Sequence, residues 1–296
     1  MLNNKKIDFI GIGAPKCGST WVAKCLEEHP NINFSPMKEV HFFNRNILDN
    51  GPICVVEDKY DEKGLEWYFR QFPSKKLGKI TGEFSISYLY DEQALKRIKK
   101  HFPNVKILVT LRNPIDLIYS LYWFIRADIH VKKEKFESYI KNDDVLKQGL
   151  YYHHLRKAYT LFPPENIHII LLDDIRRNPI KLCKELYQFL DVSEAFNPSI
   201  LNKKVNPSRV IRSEDFKTLI DRIFKVLIRS KILPYSLYKY LRFNPKFYNL
   251  YLKMNTKIAK YPPMSIKDGE YLKNYYREDI KNLETLIVRK MNDWHD

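Results

Sequence analysis

Short apolar runs rich in β-branched residues alternate with amphipathic segments along the first two thirds of the chain. Runs of this kind, bounded by glycine or charged residues, are typical of buried strands. The predicted strands are Ile7 to Ile12, Ile80 to Tyr88, Val105 to Leu111 and Ile167 to Leu172. Strands that alternate with helices indicate an α/β fold, in which a parallel sheet is flanked by helices on both faces.

Between these runs, apolar residues recur every three or four positions, which predicts helices. The first helix follows the strand at Ile12 and ends at His29-Pro30, because a residue that precedes proline disfavours the helical conformation. The other predicted helices are Asp91 to His101, Pro114 to about Arg126, Gly149 to Phe162 and Pro179 to Leu190. Residues 31–45 contain a second short extended piece, and residues 47–64 are predicted to form a polar loop.

Strand signals become sparse from about Asn202, where basic and aromatic residues are frequent. We therefore predict one domain over residues 1–296, with an α/β core at 1–202 and a helical C-terminal extension at 203–296. The last helix is predicted from about Ser265 to Trp294, because Ser265 and Asp268 have the spacing of a capping box.

One predicted helix of the extension carries an apolar stripe. Its members are Phe216, Leu219, Ile220, Ile223, Phe224, Leu227 and Ile228, opposite Lys217, Arg222, Lys225 and Arg229. Stripes of this kind usually pack against the core, which is the prediction here. A basic amphipathic helix that lies on a membrane is the alternative.

A loop that resembles a phosphate-binding loop follows the first strand. Gly13 and Gly18 have the separation of the pattern G-x-x-x-x-G-K-[ST], but Ser19 stands where the lysine of ATP-binding loops belongs. The lysine of this chain, Lys16, lies inside the loop, and Ser19 or Thr20 is predicted to cap the following helix. Because a helix N-terminus presents unpaired N–H groups and the positive end of its dipole, an anion is expected there.

A second candidate anion site follows the strand that ends at Leu111. Arg112 comes directly after this strand, while Asn113 is predicted to cap the next helix and Pro114 to begin it. Ser120 lies on that helix, and its hydroxyl can reach an anion only if the side of the helix that carries Ser120 borders the ligand. Taken alone, Arg112 is equally compatible with a surface ion pair. Two anion sites on neighbouring strand ends suit a nucleotide that carries phosphates at both ends of its ribose.

Composition and charge narrow the classes of function. The chain of 296 residues is 44% hydrophobic and 14% aromatic, which is sufficient for a core. Its formal net charge of +16 favours an anionic partner, whether a nucleotide, an acidic glycan, a nucleic acid or a membrane surface.

No apolar run has the length of a membrane span, and the N-terminus lacks the apolar stretch of a signal peptide, so a cytoplasmic protein is expected. The cysteines at 17, 25, 54 and 183 lack CxxC spacing, so we expect free thiols and no metal.

Two motifs together resemble those of the sulfotransferases that use 3′-phosphoadenosine 5′-phosphosulfate (PAPS). They are P-K-C-G-S-T at residues 15–20 and L-R-N-P-x-x-x-x-x-S at residues 111–120. The segment SPMKEVHFF at residues 35–43 is most similar to the branch that acts on heparan-type glycans and to its bacterial relatives. Residues 149–179 and the C-terminal YYREDIKNLETLI resemble further family blocks, so the resemblance covers roughly residues 7–192 and 262–294.

The resemblance implies a P-loop-like core that binds PAPS as the sulfuryl donor. The implied cofactor-binding residues are Lys16, Cys17, Gly18, Ser19, Thr20, Trp21, Arg112 and Ser120. Lys16, the backbone of residues 17–20 and the Thr20 hydroxyl would hold the 5′-phosphosulfate, with Lys16 near the leaving-group oxygen, where fixed donors meet developing charge. Arg112 and Ser120 would hold the 3′-phosphate. A sulfuryl group carries less charge than a γ-phosphate, so no metal is expected.

The resemblance also implies the catalytic residues Lys16, Glu39 and His41. Glu39 would be the general base that takes the proton of the acceptor, and His41 would orient the base or the acceptor. In an extended segment Glu39 and His41 project to one face, because strand side chains alternate. The acceptor is expected to be a hydroxyl or amine of a carbohydrate, with a small natural product as the alternative, and no nucleic acid or membrane partner is expected.

Some features depart from the family or favour other classes. The heparan enzymes have Glu-Lys-Ser/Thr-Pro where this chain has Glu83-Phe84-Ser85-Ile86, so a lysine is absent and Glu83 is a further candidate. Arg209 is a further candidate for the 3′-phosphate.

An ATP-binding kinase or NTPase is suggested by the acids that end IILLDD at residues 169–174. Against this class, the chain lacks the lysine of ATP-binding loops, and Arg112 would have no role in binding ATP. A non-catalytic polyanion-binding module is suggested by the net charge and by the basic and aromatic residues at 235–251.

Overall fold

The computed structural model of the protein describes residues 6–45, 58–73, 79–127, 134–201, 208–230, 232, 234 and 245–295. Its centre is a sheet of five parallel strands in the order β2-β3-β1-β4-β5. The strands are β1 (Phe9–Gly13), β2 (Ile32–Phe34), β3 (Ile80–Phe84), β4 (Lys106–Leu111) and β5 (Ile167–Leu171). The predicted α/β class with a parallel sheet is therefore confirmed.

Helices cover both faces of the sheet. In the α/β core they are α1 (Ser19–Glu28), α2 (Lys59–Arg70), α3 (Glu92–His101), α4 (Pro114–Ala127), α5 (Phe136–Tyr139), α6 (Asp143–Lys147), α7 (Tyr151–Leu161), α8 (Leu172–Arg177) and α9 (Pro179–Phe189). The C-terminal part contains β6 (Arg209–Ile211), α10 (Glu214–Arg229), α11 (Pro245–Asn255), β7 (Thr256–Ile258) and α12 (Ile266–Leu286). No helix in the described ranges is long and apolar enough to cross a membrane.

Two hydrophobic clusters lie on opposite faces of the sheet, because successive strand side chains point to opposite sides. Ile10 and Val109 belong to the cluster formed with α3, α4, α7 and α12. Phe9 and Leu108 belong to the other cluster, formed with α1 and α9. Alternate side chains of β1 and β4 therefore pack against helices on opposite faces, so the central strands lie between two layers of helices.

The central strands approach closely where the chain turns toward the predicted loop. A Cβ atom at Gly11 of β1 would lie 2.3 Å from the ring of Phe84 on β3, so no larger residue fits. The register of β1 against β4 shifts between Gly11 and Gly13. This irregularity directs the chain out of the sheet at the point where the loop begins.

The structure corrects several predicted elements. Residues 59–64 belong to α2 and not to a polar loop, and most of the remaining predicted loop lies outside the described residues. Asp58 caps α2 by accepting from the Asp61 N–H and pairs with Arg97 at 2.9 and 3.0 Å, a long-range contact that sequence does not reveal. The predicted third strand ends at Phe84, and the last helix ends at Leu286 instead of Trp294.

The C-terminal extension is less purely helical than predicted. β6 and β7 form a two-stranded antiparallel sheet in which Arg209 lies opposite Ile258. These strands are three residues long, too short to give an alternating pattern. The predicted capping contact at the start of α12 is confirmed, since Ser265 Oγ accepts from the Asp268 N–H at 3.1 Å.

The apolar stripe of α10 packs less than predicted. Leu219 and Ile223 remain 54% and 48% exposed, so the prediction that the stripe packs on the core is wrong for these two residues.

The cysteines inside the described ranges are free and buried, as expected. The Sγ atoms of Cys25 on α1 and Cys183 on α9 lie 3.7 Å apart, and Cys17 lies in the loop after β1. Cys54 lies outside the described residues.

Candidate functional site

The loop after β1 has the geometry of an anion-binding turn. Gly18 caps α1 with φ 92°, a left-handed conformation that glycine adopts at little cost, and a Cβ there would lie 2.7 Å from Ile175. The N-cap is Gly18, which has no side chain, so the prediction that Ser19 or Thr20 caps the helix is wrong. Residues 15–18 form a hydrogen-bonded turn that runs directly into α1. The first N–H groups of a helix have no partner within the helix, so this place suits an anion.

Lys16 extends the anion-binding character of the loop to a side chain. Its backbone is left-handed, with φ 59°, and its Nζ lies 4.4 Å from the centre of the Phe124 ring on α4. Burial, and then the positive charge of Arg112, lower the pKa of Lys16 to about 8. Because the charge of Arg112 acts on Lys16, these two residues lie near each other. The anion sites predicted at Lys16 and at Arg112 therefore belong to one region.

Arg112 is held in place by the start of α4. Its Nη2 and Nε lie 3.0 and 3.3 Å from Asp116 Oδ2, and its side chain is 14% exposed. Asn113 caps the helix as predicted, because its Oδ1 accepts from the Ile115 N–H at 2.9 Å. Ser120 is buried one turn beyond Asp116 and therefore lies on the same side of α4 as the residue that pairs with Arg112.

Trp21 and Cys17 have buried side chains that pack on the inner side of the loop. Trp21 is buried in the hydrophobic cluster under α1. The thiol of Cys17 is fully buried and donates to Pro15 O at 3.1 Å. Their side chains support the loop, and a contact of Trp21 with a nucleotide stays a prediction.

Glu39 and His41 meet, but not in the way their sequence spacing predicts. No strand forms at these positions, and His41 adopts φ 48°, so the prediction of an extended segment is wrong. The left-handed turn nevertheless brings His41 Nε2 to 2.9 Å from Glu39 Oε2. The neighbouring Val40 and Phe42 are buried, and this packing anchors the segment.

Lys38 is a site residue that the sequence analysis missed. Its Nζ lies 3.3 Å from Glu39 Oε1 and donates to Thr20 Oγ1 at 3.4 Å. Lys38 therefore joins the carboxylate to the start of α1. The side chains of Lys38, Glu39 and His41 are 22%, 19% and 18% exposed, so a ligand can reach them although they are largely screened from water. The sequence shows a lysine directly before Glu39, which could have indicated this role. Which groups the Lys38 side chain contacts, however, depends on the fold.

Two contacts orient the imidazole ring of His41. Its Nδ1 lies 2.8 Å from Ser87 Oγ, and the Ser87 hydroxyl donates to Asn44 Oδ1 at 2.8 Å. The buried Asn44 Nδ2 has no hydrogen-bond partner among the described residues. On the other side of the ring, His41 Nε2 donates to the Glu39 carboxylate.

Glu83 lies beneath this pair and does not reach the surface. Ser85 Oγ accepts from the His41 N–H at 3.0 Å and donates to Glu83 Oε2 at 2.6 Å. Tyr88 Oη donates to Glu83 Oε1 at 2.9 Å, and burial raises the pKa of Glu83 to about 7. Glu83 thus holds the backbone of His41 through Ser85. Ser85 and Ser87 follow the end of β3 in a turn, so the alternation of strand side chains gave no signal for them.

The electrostatics of Glu39 suit an ionised carboxylate. Burial alone would raise its pKa, but the hydrogen bond from His41 and the charge of Lys38 outweigh burial and hold the pKa of Glu39 below its usual value. At neutral pH the group is therefore a carboxylate that can accept a proton.

The acids after β5 have structural partners. Asp174 pairs with Arg289 through two contacts of 2.7 Å, and Asp173 pairs with Arg176 at 3.1 Å. A cavity of about 480 Å³ beside Asp173 is lined by Asn113, Asp116, Asp173, Arg176, Arg177, Asp293 and Trp294. Each of its three acids pairs with an arginine: Asp116 with Arg112, Asp173 with Arg176 and Asp293 with Arg177. The arrangement therefore gives the kinase or NTPase alternative no support.

Known proteins resemble most of the chain. The bifunctional heparan sulfate N-deacetylase/N-sulfotransferase 3 of Mus musculus is 27% identical over 302 residues, which cover 95% of this chain and 30% of that protein. The heparan sulfate glucosamine 3-O-sulfotransferase 5 of Mus musculus is 25% identical over 261 residues, which cover 81% of this chain and 70% of that protein. The chain thus spans about 30% of the length of the bifunctional relative.

A solved structure has the same fold. The crystal structure of a sulfotransferase from Alicyclobacillus acidocaldarius is 21% identical and gives a TM-score of 0.68, covering 99% of this chain and 100% of that chain. Its likeness extends over the C-terminal part as well as the parallel sheet.

The sequence model of the family described as "Sulfotransferase domain" matches residues 6–218. This match covers more than half of the chain and includes Lys16, Glu39 and Arg112. It confirms the predicted resemblance to the sulfotransferases. The chain therefore belongs to the sulfotransferase family.

Proposed function

We propose that this enzyme transfers the sulfuryl group of PAPS to a hydroxyl or amine of a carbohydrate, with Glu39 as the general base. The observation that carries the proposal is the link from the Glu39 carboxylate through Lys38 to Thr20 at the start of α1. This link supports the assignment of Glu39 as a proton acceptor beside the proposed phosphosulfate site. The names of the two mouse relatives support a glycan acceptor.

The residues around Glu39 divide the work of proton transfer. Glu39 accepts the proton that the attacking hydroxyl or amine loses, through one of its carboxylate oxygens. His41 donates from Nε2 to the other side of the carboxylate and fixes its orientation. The Lys38 ammonium contacts both the base and Thr20 at the start of α1, so it offers positive charge between the acceptor side and the donor side of the site. Ser85, Ser87 and Glu83 hold His41 in its left-handed turn.

The donor is held by the two converging anion sites. Lys16 Nζ and the N–H groups at the start of α1 suit the 5′-phosphosulfate, and their fixed positions stabilise charge that develops on the leaving oxygen. Arg112 and Ser120 suit the 3′-phosphate, with Asp116 keeping the guanidinium oriented. The start of α1 and the Lys16 ammonium, whose pKa burial and the charge of Arg112 lower, support an anionic ligand in this region.

The donor site predicts selective stabilisation by the desulfated nucleotide, 3′-phosphoadenosine 5′-phosphate (PAP). At about 100 times its Kd, a ligand that binds only the folded protein adds about 2.7 kcal/mol to the free energy of unfolding. We expect PAP to raise the melting temperature much more than 5′-AMP or ATP, without added magnesium, in a thermal unfolding assay. Equal shifts with 5′-AMP, or an absolute need for magnesium, would contradict the paired anion sites.

The acceptor class is tested by measuring sulfuryl transfer from labelled PAPS to a panel of desulfated glycans and small metabolites. We expect label in the glycans, at a rate that depends on enzyme and donor. Transfer confined to small metabolites would replace the carbohydrate proposal by sulfation of a natural product. Absence of transfer to either class, despite PAP binding, would contradict the proposed function.

The lowered pKa of Lys16 predicts that PAP affinity falls at alkaline pH. Below about pH 8 the ammonium is charged and attracts the phosphate, and above it the free protein must take up a proton to bind, which costs about tenfold in affinity per pH unit. Titration calorimetry of PAP between about pH 7 and 9.5 measures this slope, in a range where the phosphates of PAP are fully ionised. In Lys16→Arg the side chain stays charged, so the slope should vanish. A slope that persists unchanged in that variant would assign the titration to another group.

A further inference from the structure

One face of α10 exposes apolar side chains to solvent. Leu219, Ile223 and Val226 are 54%, 48% and 63% exposed, and their spacing of four and three residues places them on the same side of the helix. Phe216, Ile220 and Leu227 are more covered. The helix is thus turned with part of its apolar stripe away from the protein, which is the unusual orientation for a surface helix.

The flank of this face is basic. Arg222 and Arg229 are exposed three residues after Leu219 and Val226, while Asp215, exposed four residues before Leu219, is the one acid among the α10 side chains that the structure describes. The whole chain carries a net charge of +16. An apolar strip bordered by arginines therefore has to be matched by a partner that offers both apolar surface and negative charge.

We propose that this α10 face docks on the surface of an anionic lipid bilayer. A polysaccharide supplies the negative charge but not the apolar contact, and a second copy of the chain brings the same arginines and the same net positive charge. An anionic bilayer supplies both, because the apolar side chains enter the boundary between headgroups and acyl chains while the arginines stay among the headgroups.

The docking face is attached to the element that borders the donor loop. α10 begins three residues after the end of β6, and Ser213 caps it by accepting from the Phe216 N–H at 3.1 Å. β6 packs against α4, whose Phe124 lies under Lys16 Nζ. A protein docked through α10 would hold its site beside the bilayer, and this inference does not depend on the identity of the acceptor.

Co-sedimentation of the full chain with vesicles tests the proposal. We expect binding to vesicles of phosphatidylcholine with phosphatidylglycerol, weaker binding at high salt, and little binding to phosphatidylcholine alone. Ile223→Asp should lower the partition constant at least about tenfold, because a charge replaces an apolar side chain at the boundary. The double variant Arg222→Ala, Arg229→Ala should lower it by about 25-fold, since each basic residue near an anionic surface contributes about fivefold.

Matched controls lie elsewhere on the surface. Val288→Asp introduces the same kind of charge at a residue that is 92% exposed, and Arg70→Ala removes an exposed arginine of α2, so both should bind like the parent. Melting temperature and its shift with PAP report that each variant is folded. Unchanged binding of Ile223→Asp, or equal binding to neutral vesicles, would overturn the proposal. Self-association of the parent that Ile223→Asp abolishes, measured by analytical ultracentrifugation without lipid, would reassign the face to a second copy.

Discussion

Replacement of Glu39 by glutamine is expected to lower turnover by about 10²- to 10⁴-fold while PAP binds nearly as before. Glutamine keeps the shape of the side chain but has no carboxylate to accept the proton of the acceptor. His41 Nε2 loses its ionic partner, and the Lys38 ammonium keeps its contact with Thr20. The loop at residues 15–18 and Arg112 are untouched, so donor binding should survive. The measurement is kcat at saturating donor and acceptor, together with the Kd for PAP.

The matched control for this change is Glu27→Gln on α1. Glu27 is a solvent-exposed carboxylate that pairs with Lys24 at 2.6 Å, and its replacement should leave kcat unchanged. Turnover of Glu39→Gln close to that of the parent would show that Glu39 is not the base. His41 would then become the leading candidate, and the hydrogen bond between the two residues would have only a structural role.

Replacement of Arg112 by alanine is expected to raise the Kd for PAP by about 10²-fold or more, with a smaller effect on kcat at saturating donor. A guanidinium that makes two charge-assisted hydrogen bonds to a phosphate loses both, and bonds to charged groups contribute about 1.5–3 kcal/mol each. The variant also leaves Asp116 beside the site without its partner, which adds repulsion toward the phosphate. Titration calorimetry measures the Kd of each variant for PAP and for 5′-AMP.

Two comparisons make the Arg112 result specific. Binding of 5′-AMP, which lacks the 3′-phosphate, should change much less than binding of PAP. The double variant Arg112→Ala, Asp116→Ala should recover part of the lost affinity, because it removes the unpaired carboxylate. Equal losses for PAP and 5′-AMP would mean that Arg112 does not read the 3′-phosphate. Arg70→Ala serves as the surface control, since Arg70 pairs only with Glu66 at 3.5 Å in the described structure.

Local sequence patterns predicted the architecture that carries the donor site. β-branched runs specified β1, β4 and β5, and the predicted helix boundaries near His101 and Pro114 agree closely with α3 and α4. These features depend on side-chain periodicity and on backbone preferences of proline, which act over a few residues. The same locality identified Lys16 and Arg112 as residues at the ends of neighbouring strands.

Local patterns failed where contacts between distant segments outweigh intrinsic preference. The polar loop predicted over residues 47–64 includes the first half of α2, whose start depends on Asp58 and its bidentate pair with Arg97, 39 residues away. The segment around His41 was assigned an extended backbone, although Ser85 and Ser87 hold it in a left-handed turn. Both cases show a backbone conformation selected by partners that lie far away in the chain.

The sequence by itself determined the parallel α/β core, the loop that suits an anion, and the family motifs around Glu39 and Arg112. Only the tertiary structure decided that Lys38 joins Glu39 to the loop and that α10 turns apolar side chains outward. Periodicity along one element says which residues share a face, but not which neighbour that face meets. The neighbour is set by strand order and by the packing of whole layers, so the contacts of Lys38 and the exposure of α10 became visible only in the folded chain.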